Sequence, residues 1–245
     1  MNTMLKYFLA FAITSILFLF SLVANSQSVI TNGQQPEMLD LVFVLDKSGS
    51  MSGFESDTIG GFNSVLTENR DKKANVFITT VLFNNKTSVL HNREPIHKVS
   101  NLTLDDYQVG GNTALLDAVG NTIIKMQQNR KITKNNNVLF VIITDGEENS
   151  SREYSQAKIK SMIKSAETED KWDFIFLGAN IDAVTAADNI GISSSKATGY
   201  VQDKSGYDKA YKAVNNAVES KKSMSPISES WKQEVEADAV ERTKK

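Results

Sequence analysis

The 245-residue sequence has no cysteine, only two histidines, and almost no charge imbalance, with a net charge of −2. Without thiols there can be no disulfide and no lipoprotein anchor, so stability has to come from an apolar core and from whatever ion the fold binds. The mixed charge leaves no basic footprint of the kind a phosphate backbone demands, which argues against a nucleic acid partner. Both histidines, His91 and His97, fall in or near a predicted edge hairpin and read as surface or edge-strand residues. No GxxxxGK[ST] phosphate loop occurs, and neither does an internal repeat or a low-complexity tract.

At the N-terminus, Lys6 precedes an apolar stretch over 7–23, and Ala24 and Ser26 follow at A-x-S spacing. That layout predicts a secretory signal peptide over 1–26, with cleavage after Ser26. An uncleaved anchor is the alternative, because the stretch approaches the roughly 20 residues that cross a bilayer. Either way the remainder is expected to be exported to the periplasm, the medium or the cell surface. Membrane contact is expected only if the segment stays attached. A polar linker follows over 27–36.

Apolar runs of strand length then alternate with helical periodicity. Strands are predicted over 39–45, 76–83, 138–143 and 174–177, all nearly free of polar alternation, as in strands covered on both faces. The turn sequence Asn84-Asn85-Lys86 makes 87–91 an antiparallel edge strand, and 196–200 reads as a last short strand. Helical stripes are formed by Ile59, Phe62 and Leu66, by Leu116, Val119, Ile123 and Met126, and by Tyr154, Ile159, Met162, Ile163 and Ala166. Residues 181–190 also look helical, and Tyr207, Ala210, Tyr211, Val214 and Val218 mark a final helix. The pattern predicts an α/β domain over 37–220: a Rossmann-like, doubly wound, mostly parallel sheet with one antiparallel edge strand and helices on both faces. Residues 221–245 are polar apart from Trp231 and Val235, and read as a solvated tail or a loosely docked helix.

In an open parallel sheet, ligands bind beyond the carboxyl ends of the strands where strand order reverses. After the first strand comes Asp46-Lys47-Ser48-Gly49-Ser50, and after VLFVII comes Thr144-Asp145-Gly146-Glu147-Glu148. A third polar element, Gly110-Gly111-Asn112-Thr113, precedes the cleanest helical stripe. If these strands are neighbours, Asp46, Ser48, Ser50, Thr113 and Asp145 converge into an all-oxygen pocket. Such a pocket suits Mg²⁺ better than Zn²⁺, which prefers nitrogen and sulfur, and Mn²⁺ or Ca²⁺ could take its place. Because three of the five donors are neutral hydroxyls, a cation there would remain electrophilic toward an outside carboxylate.

The five residues, in this order and spacing, resemble the metal-ion-dependent adhesion site of the von Willebrand factor type A domain, and the likeness covers roughly 37–200. WDFIFLGANID resembles bacterial stand-alone members of that family. The resemblance implies Ser48, Ser50 and Thr113 as direct or near-direct ligands, with Asp46 and Asp145 acting directly or through water. It also implies a non-catalytic protein binding a partner protein through that partner's Asp or Glu carboxylate. A recognition rim is expected from Met51, Phe54, Glu55, Asp57, Asn112, Glu147 and Glu148, with an inward turn the equal alternative for Met51 and Phe54. Two other functions stand beside this one: a subunit of a membrane or ATPase-associated assembly, and a Mg²⁺-dependent phosphatase-like hydrolase built on Asp46. The second is disfavoured because Ser48 stands where such enzymes want another carboxylate.

Overall fold

The computed structural model describes residues 38–70 and 75–243. The expected signal or anchor segment and the linker lie outside the described residues. Among the described residues no helix is long and apolar enough to cross a membrane. Six strands form one sheet: β1 (Leu39–Asp46), β2 (Val76–Phe83), β3 (Thr87–Pro95), β4 (Val138–Thr144), β5 (Asp173–Ala179) and β6 (Ala197–Tyr200). Their order is β3-β2-β1-β4-β5-β6, and all neighbours are parallel except the β2–β3 hairpin. The helices are α1 (Glu55–Asn69), α2 (Leu115–Thr133), α3 (Gln156–Thr168), α4 (Ala183–Asn189), α5 (Lys204–Lys222) and α6 (Gln233–Thr243).

The hydrophobicity of β1 on both faces, from Leu41 to Leu45, follows from its place at the centre of the sheet. Leu39, Leu41, Phe43 and Leu45 point into one core with residues of α1 and α5. Val42 and Val44 point the other way, into a second core with α2, α3 and α4. Side-chain alternation along an extended chain produces this division, and helices on both faces remove the need for a polar side. The chain runs from β1 outward to β2, then crosses back to place β4 on the other side of β1. Strand order therefore reverses between β1 and β4, which brings their carboxyl ends together.

Two local expectations are narrowed by the structure. His91 lies on the edge strand, as expected, but is buried: Nδ1 lies 3.0 Å from Thr80 Oγ1, and the ring stacks on Phe62. The α1 side of the sheet covers this hairpin, so an edge position does not expose the ring. At the C-terminus the chain takes the docked-helix alternative, and more firmly than the polar composition indicates. Trp231 is 2% exposed and joins the core beside α5, with Val235 buried next to it. The Trp231 indole N–H donates to the Ser195 carbonyl at 2.9 Å, and the buried Lys232 ammonium donates to the carbonyls of Ser194 and Ala197. The compact unit thus extends past residue 220, through α6.

Candidate metal centre

The loop leaving β1 turns at once into a short 3₁₀ turn, Gly49–Met51. This folding back lets the Ser48 N–H donate to Asp46 Oδ1 at 2.7 Å and sets Ser48 Oγ 3.1 Å from Ser50 Oγ. From the neighbouring strand end, Asp145 Oδ1 accepts the Ser50 hydroxyl at 2.6 Å. Thr113 completes the group. A Cβ placed on Gly146 would lie 2.9 Å from Thr113 Oγ1, 3.2 Å from Ser50 Oγ and 3.8 Å from Ser48 Oγ. Three hydroxyls therefore converge beside Asp145 on the bare face of Gly146, where any larger residue would crowd them.

Thr113 is held from two sides. Asn84 Nδ2 donates to the Gly110 carbonyl at 2.6 Å, Asn85 Oδ1 accepts from the Asn112 N–H at 2.8 Å, and the Ala114 N–H donates to the Asn84 carbonyl at 3.0 Å. Gly111 has φ +81°, and a Cβ there would lie 1.9 Å from Asn85 Oδ1, so only glycine fits this crossing. On the other side, Asn149 Oδ1 accepts from the Thr113 N–H at 3.0 Å. The Gly49 N–H donates to the Gly111 carbonyl at 2.9 Å, which joins this loop to the β1 loop.

Neutral donors hold both carboxylates. Thr144 Oγ1 donates to Asp46 Oδ2 at 2.6 Å, and Gln202 Nε2, just past β6, donates to Asp145 Oδ2 at 2.6 Å. The Tyr107 hydroxyl donates to the Asp46 carbonyl. Asp46 is fully buried. Burial pushes its carboxyl above the usual range, against the lowering effect of the hydrogen bonds from Thr144 and Ser48, and the nearby Asp145 charge adds to the rise. Thr144, Tyr107, Gln202 and the Asn84-Asn85 pair were not singled out as supports from sequence. Thr144 was open to notice beside Asp145, whereas Gln202 and Tyr107 carry no local signal because only the tertiary fold brings them here.

The expected rim divides. Asn112 and Glu147 are exposed, and Glu55 and Asp57 are half-buried. Met51 is corrected: at 0% exposure it belongs to the core, because the 3₁₀ turn swings it inward. Phe54 also turns in, stacking on Tyr207 at 6.0 Å between ring centroids. Glu148 is taken up internally, accepting from the N–H groups of Leu116, Ser150 and Ser151 and so capping the first turn of α2.

As a donor set, five oxygen-bearing side chains without nitrogen or sulfur fit a hard cation such as Mg²⁺. Among the described residues no group of three or more His, Cys, Asp or Glu could hold a metal ion, so a cation at this place relies on hydroxyls as much as on carboxylates.

A six-stranded, mostly parallel sheet with one antiparallel edge, carrying these loops at its switch point, is the von Willebrand factor type A architecture. The family described as VWA domain containing CoxE-like protein matches residues 25–168, and the chain belongs to it. Solved structures with the same fold include the PilB minor pilin from Streptococcus sanguinis, at 12% identity and a TM-score of 0.55, covering 78% of this chain and 63% of that one. Another is the von Willebrand factor type A protein from Catenulispora acidiphila, at 13% identity and a TM-score of 0.51, covering 73% of this chain and 42% of that one. The chain thus spans less than two thirds of either. No curated protein sequence matches it.

Proposed function

We propose that this protein is an exported, non-catalytic VWA domain that binds another protein in a divalent-cation-dependent manner. Asp46, Ser48, Ser50, Thr113 and Asp145 would hold the ion, Mg²⁺ by preference, directly or through water. The observation that carries this reading is the convergence of the Thr113, Ser50 and Ser48 hydroxyls on the bare face of Gly146, with Asp145 hydrogen-bonded to one of them. A bound cation would supply a Lewis-acidic position for the Asp or Glu carboxylate of the partner. The chain's own residues do the rest. Thr144 and the Ser48 amide fix Asp46, Gln202 fixes Asp145, and the two asparagines of the β2–β3 turn fix the Thr113 loop. Exposed Asn112 and Glu147 would contribute to selectivity.

Pull-down from the envelope fraction, with Mg²⁺ or with EDTA, tests this. The expected result is a protein captured only with Mg²⁺ and lost with Asp46→Ala, while the variant keeps its far-UV circular dichroism. Equal capture by the folded variant would refute the metal as the recognition element. A second reading, a scaffold subunit of a membrane or ATPase-associated assembly, draws support from the CoxE-like family. It predicts a complex that survives EDTA and includes an ATPase.

A further inference from the structure

A cavity of about 400 Å³ opens beside the metal centre, between the start of α2, the loop after β4, and α4. Its size lies within the range of pockets that take small ligands or single side chains. Gly146 lines it, and the Thr113, Ser50 and Ser48 hydroxyls also border Gly146, so the cavity and the candidate metal centre share a wall. The floor is apolar, from Leu115, Phe176, Ile181 and Ile190. All the charge around it is negative: Glu147, Glu148 and Asp182 line the cavity, and no lysine or arginine does.

The three carboxylates are not equivalent. Glu148 is engaged by the Leu116 amide at the start of α2 and by the Ser150 and Ser151 amides of the loop after β4. Asp182 caps α4, accepting from Thr185 N–H and Oγ1, and these bonds hold its carboxyl below the usual range, so it stays anionic. Glu147 is exposed. An apolar floor under an anionic mouth is complementary to a side chain that is aliphatic along its stem and cationic at its tip. A purely apolar guest would leave the negative mouth uncompensated, and a small cation would leave the floor wet.

We propose that this cavity receives an arginine or lysine side chain of the partner protein, next to the residue whose carboxylate approaches the metal centre. The stem would lie on Leu115, Phe176, Ile181 and Ile190, and the charged head would meet Glu147 and Asp182. The coupled motif, one acidic and one basic side chain on the same partner surface, rests on the function proposed above. The cation cavity itself can be tested without any metal.

The experiment is a titration of the ¹⁵N-labelled full-length protein with n-butylguanidinium in EDTA, with n-butylurea as the uncharged isostere. Expected are saturable shifts of the Glu147, Asp182 and Ile190 amides, with at least fivefold tighter binding of the cation than of the urea. The double variant Glu147→Gln, Asp182→Asn should bring the two ligands to equal affinity while keeping the α4 cap, since Asn caps as well as Asp. Equal affinities in the wild type, or shifts spread over acidic residues elsewhere, would overturn the proposal. In a parallel titration with Mg²⁺ and no EDTA, a response to the ion without one to butylguanidinium sinks the cavity and leaves the metal centre. The reverse sinks the metal centre and with it the coupled motif, leaving a cation-binding cavity.

Discussion

Gly146→Ala separates the candidate metal centre from the fold that carries it. The added methyl would lie 2.9 Å from Thr113 Oγ1 and 3.2 Å from Ser50 Oγ, closer than side chains ordinarily sit. Both crowded atoms are hydroxyl tips that relieve the contact by rotating away. Rotation breaks up the donor set, and for Ser50 it also gives up the hydrogen bond to Asp145. Gly146 is not among the residues with positive φ, so alanine meets no backbone strain there. Losing glycine's unfolded-state freedom favours the variant by about 0.4–1 kcal/mol, while crowding opposes it by about 1–3 kcal/mol, so the metal-free variant should be at most about 2.6 kcal/mol less stable.

The Mg²⁺ response should differ far more. At ten times the dissociation constant, an ion that binds only the folded state stabilises it by about 1.4 kcal/mol. For a domain of this size that raises the midpoint by about 3–6 °C. Differential scanning calorimetry in EDTA and in a Mg²⁺ series should show this rise in the wild type and none in Gly146→Ala. If the variant keeps the full Mg²⁺-dependent rise, the hydroxyl ring does not hold the ion and the reasoning fails.

Thr144→Val removes the hydroxyl that donates to Asp46 Oδ2 at 2.6 Å and leaves a buried carboxyl oxygen without its partner. Urea unfolding should show a loss of about 1–3 kcal/mol, largely restored by Thr144→Ser; a silent Thr144→Val would contradict the placement of this bond. Asp173 behaves differently. Burial would raise its carboxyl, but the hydrogen bonds and charges of Lys196 and Lys221 outweigh burial and hold it below the usual range. A lowered folded value gives stability that is present above the unfolded value, near pH 4, and is lost as the pH falls through the folded one. Asp173→Asn should therefore cost about 1–3 kcal/mol at pH 7 and progressively less below about pH 4, and a cost independent of pH would refute the charge account. Trp231→Ala should cost about 3–5 kcal/mol in the same unfolding assay, and a loss below about 1 kcal/mol would mean that α6 contributes little to the cooperative unit.

The central strands were legible because both their faces are covered, so that β1, β2, β4 and β5 announce themselves as apolar runs nearly free of polar alternation. The residues after β1 and β4 were legible for a related reason: Asp46, Ser48, Ser50 and Asp145 interrupt those runs where a turn would ordinarily place Gly or Asn. What could not be read depends on contacts distant in sequence. Met51 looks like a rim residue until the 3₁₀ turn carries it into the core. The segment after 221 looks solvated because it is mostly polar, yet those polar groups that approach the body of the domain find partners there. Lys232 donates to two carbonyls, and Arg242 reaches both Asp203 and Asp238. Composition counts such groups as water-facing, although burial is allowed once each has a partner.

The electrostatics of the site differ from those elsewhere in the same fold. Asp40 is buried against Arg93 at 2.9 Å, Asp170 pairs with Arg130 at 2.9 Å, and Asp173 is clasped by Lys196 and Lys221. Asp46 and Asp145 receive only neutral donors: a threonine, a serine, a backbone amide and a glutamine side chain. Such donors fix the carboxyls in position without cancelling their charge, so the negative potential at the Gly146 volume stays uncompensated within the described residues. A lysine or arginine in the place of Thr144 or Gln202 would make a stronger pair and close the site to any ion. Neutral donors give a fixed geometry with an open charge, the condition under which a small cation, and then a partner's carboxylate, can be held where the strand order reverses.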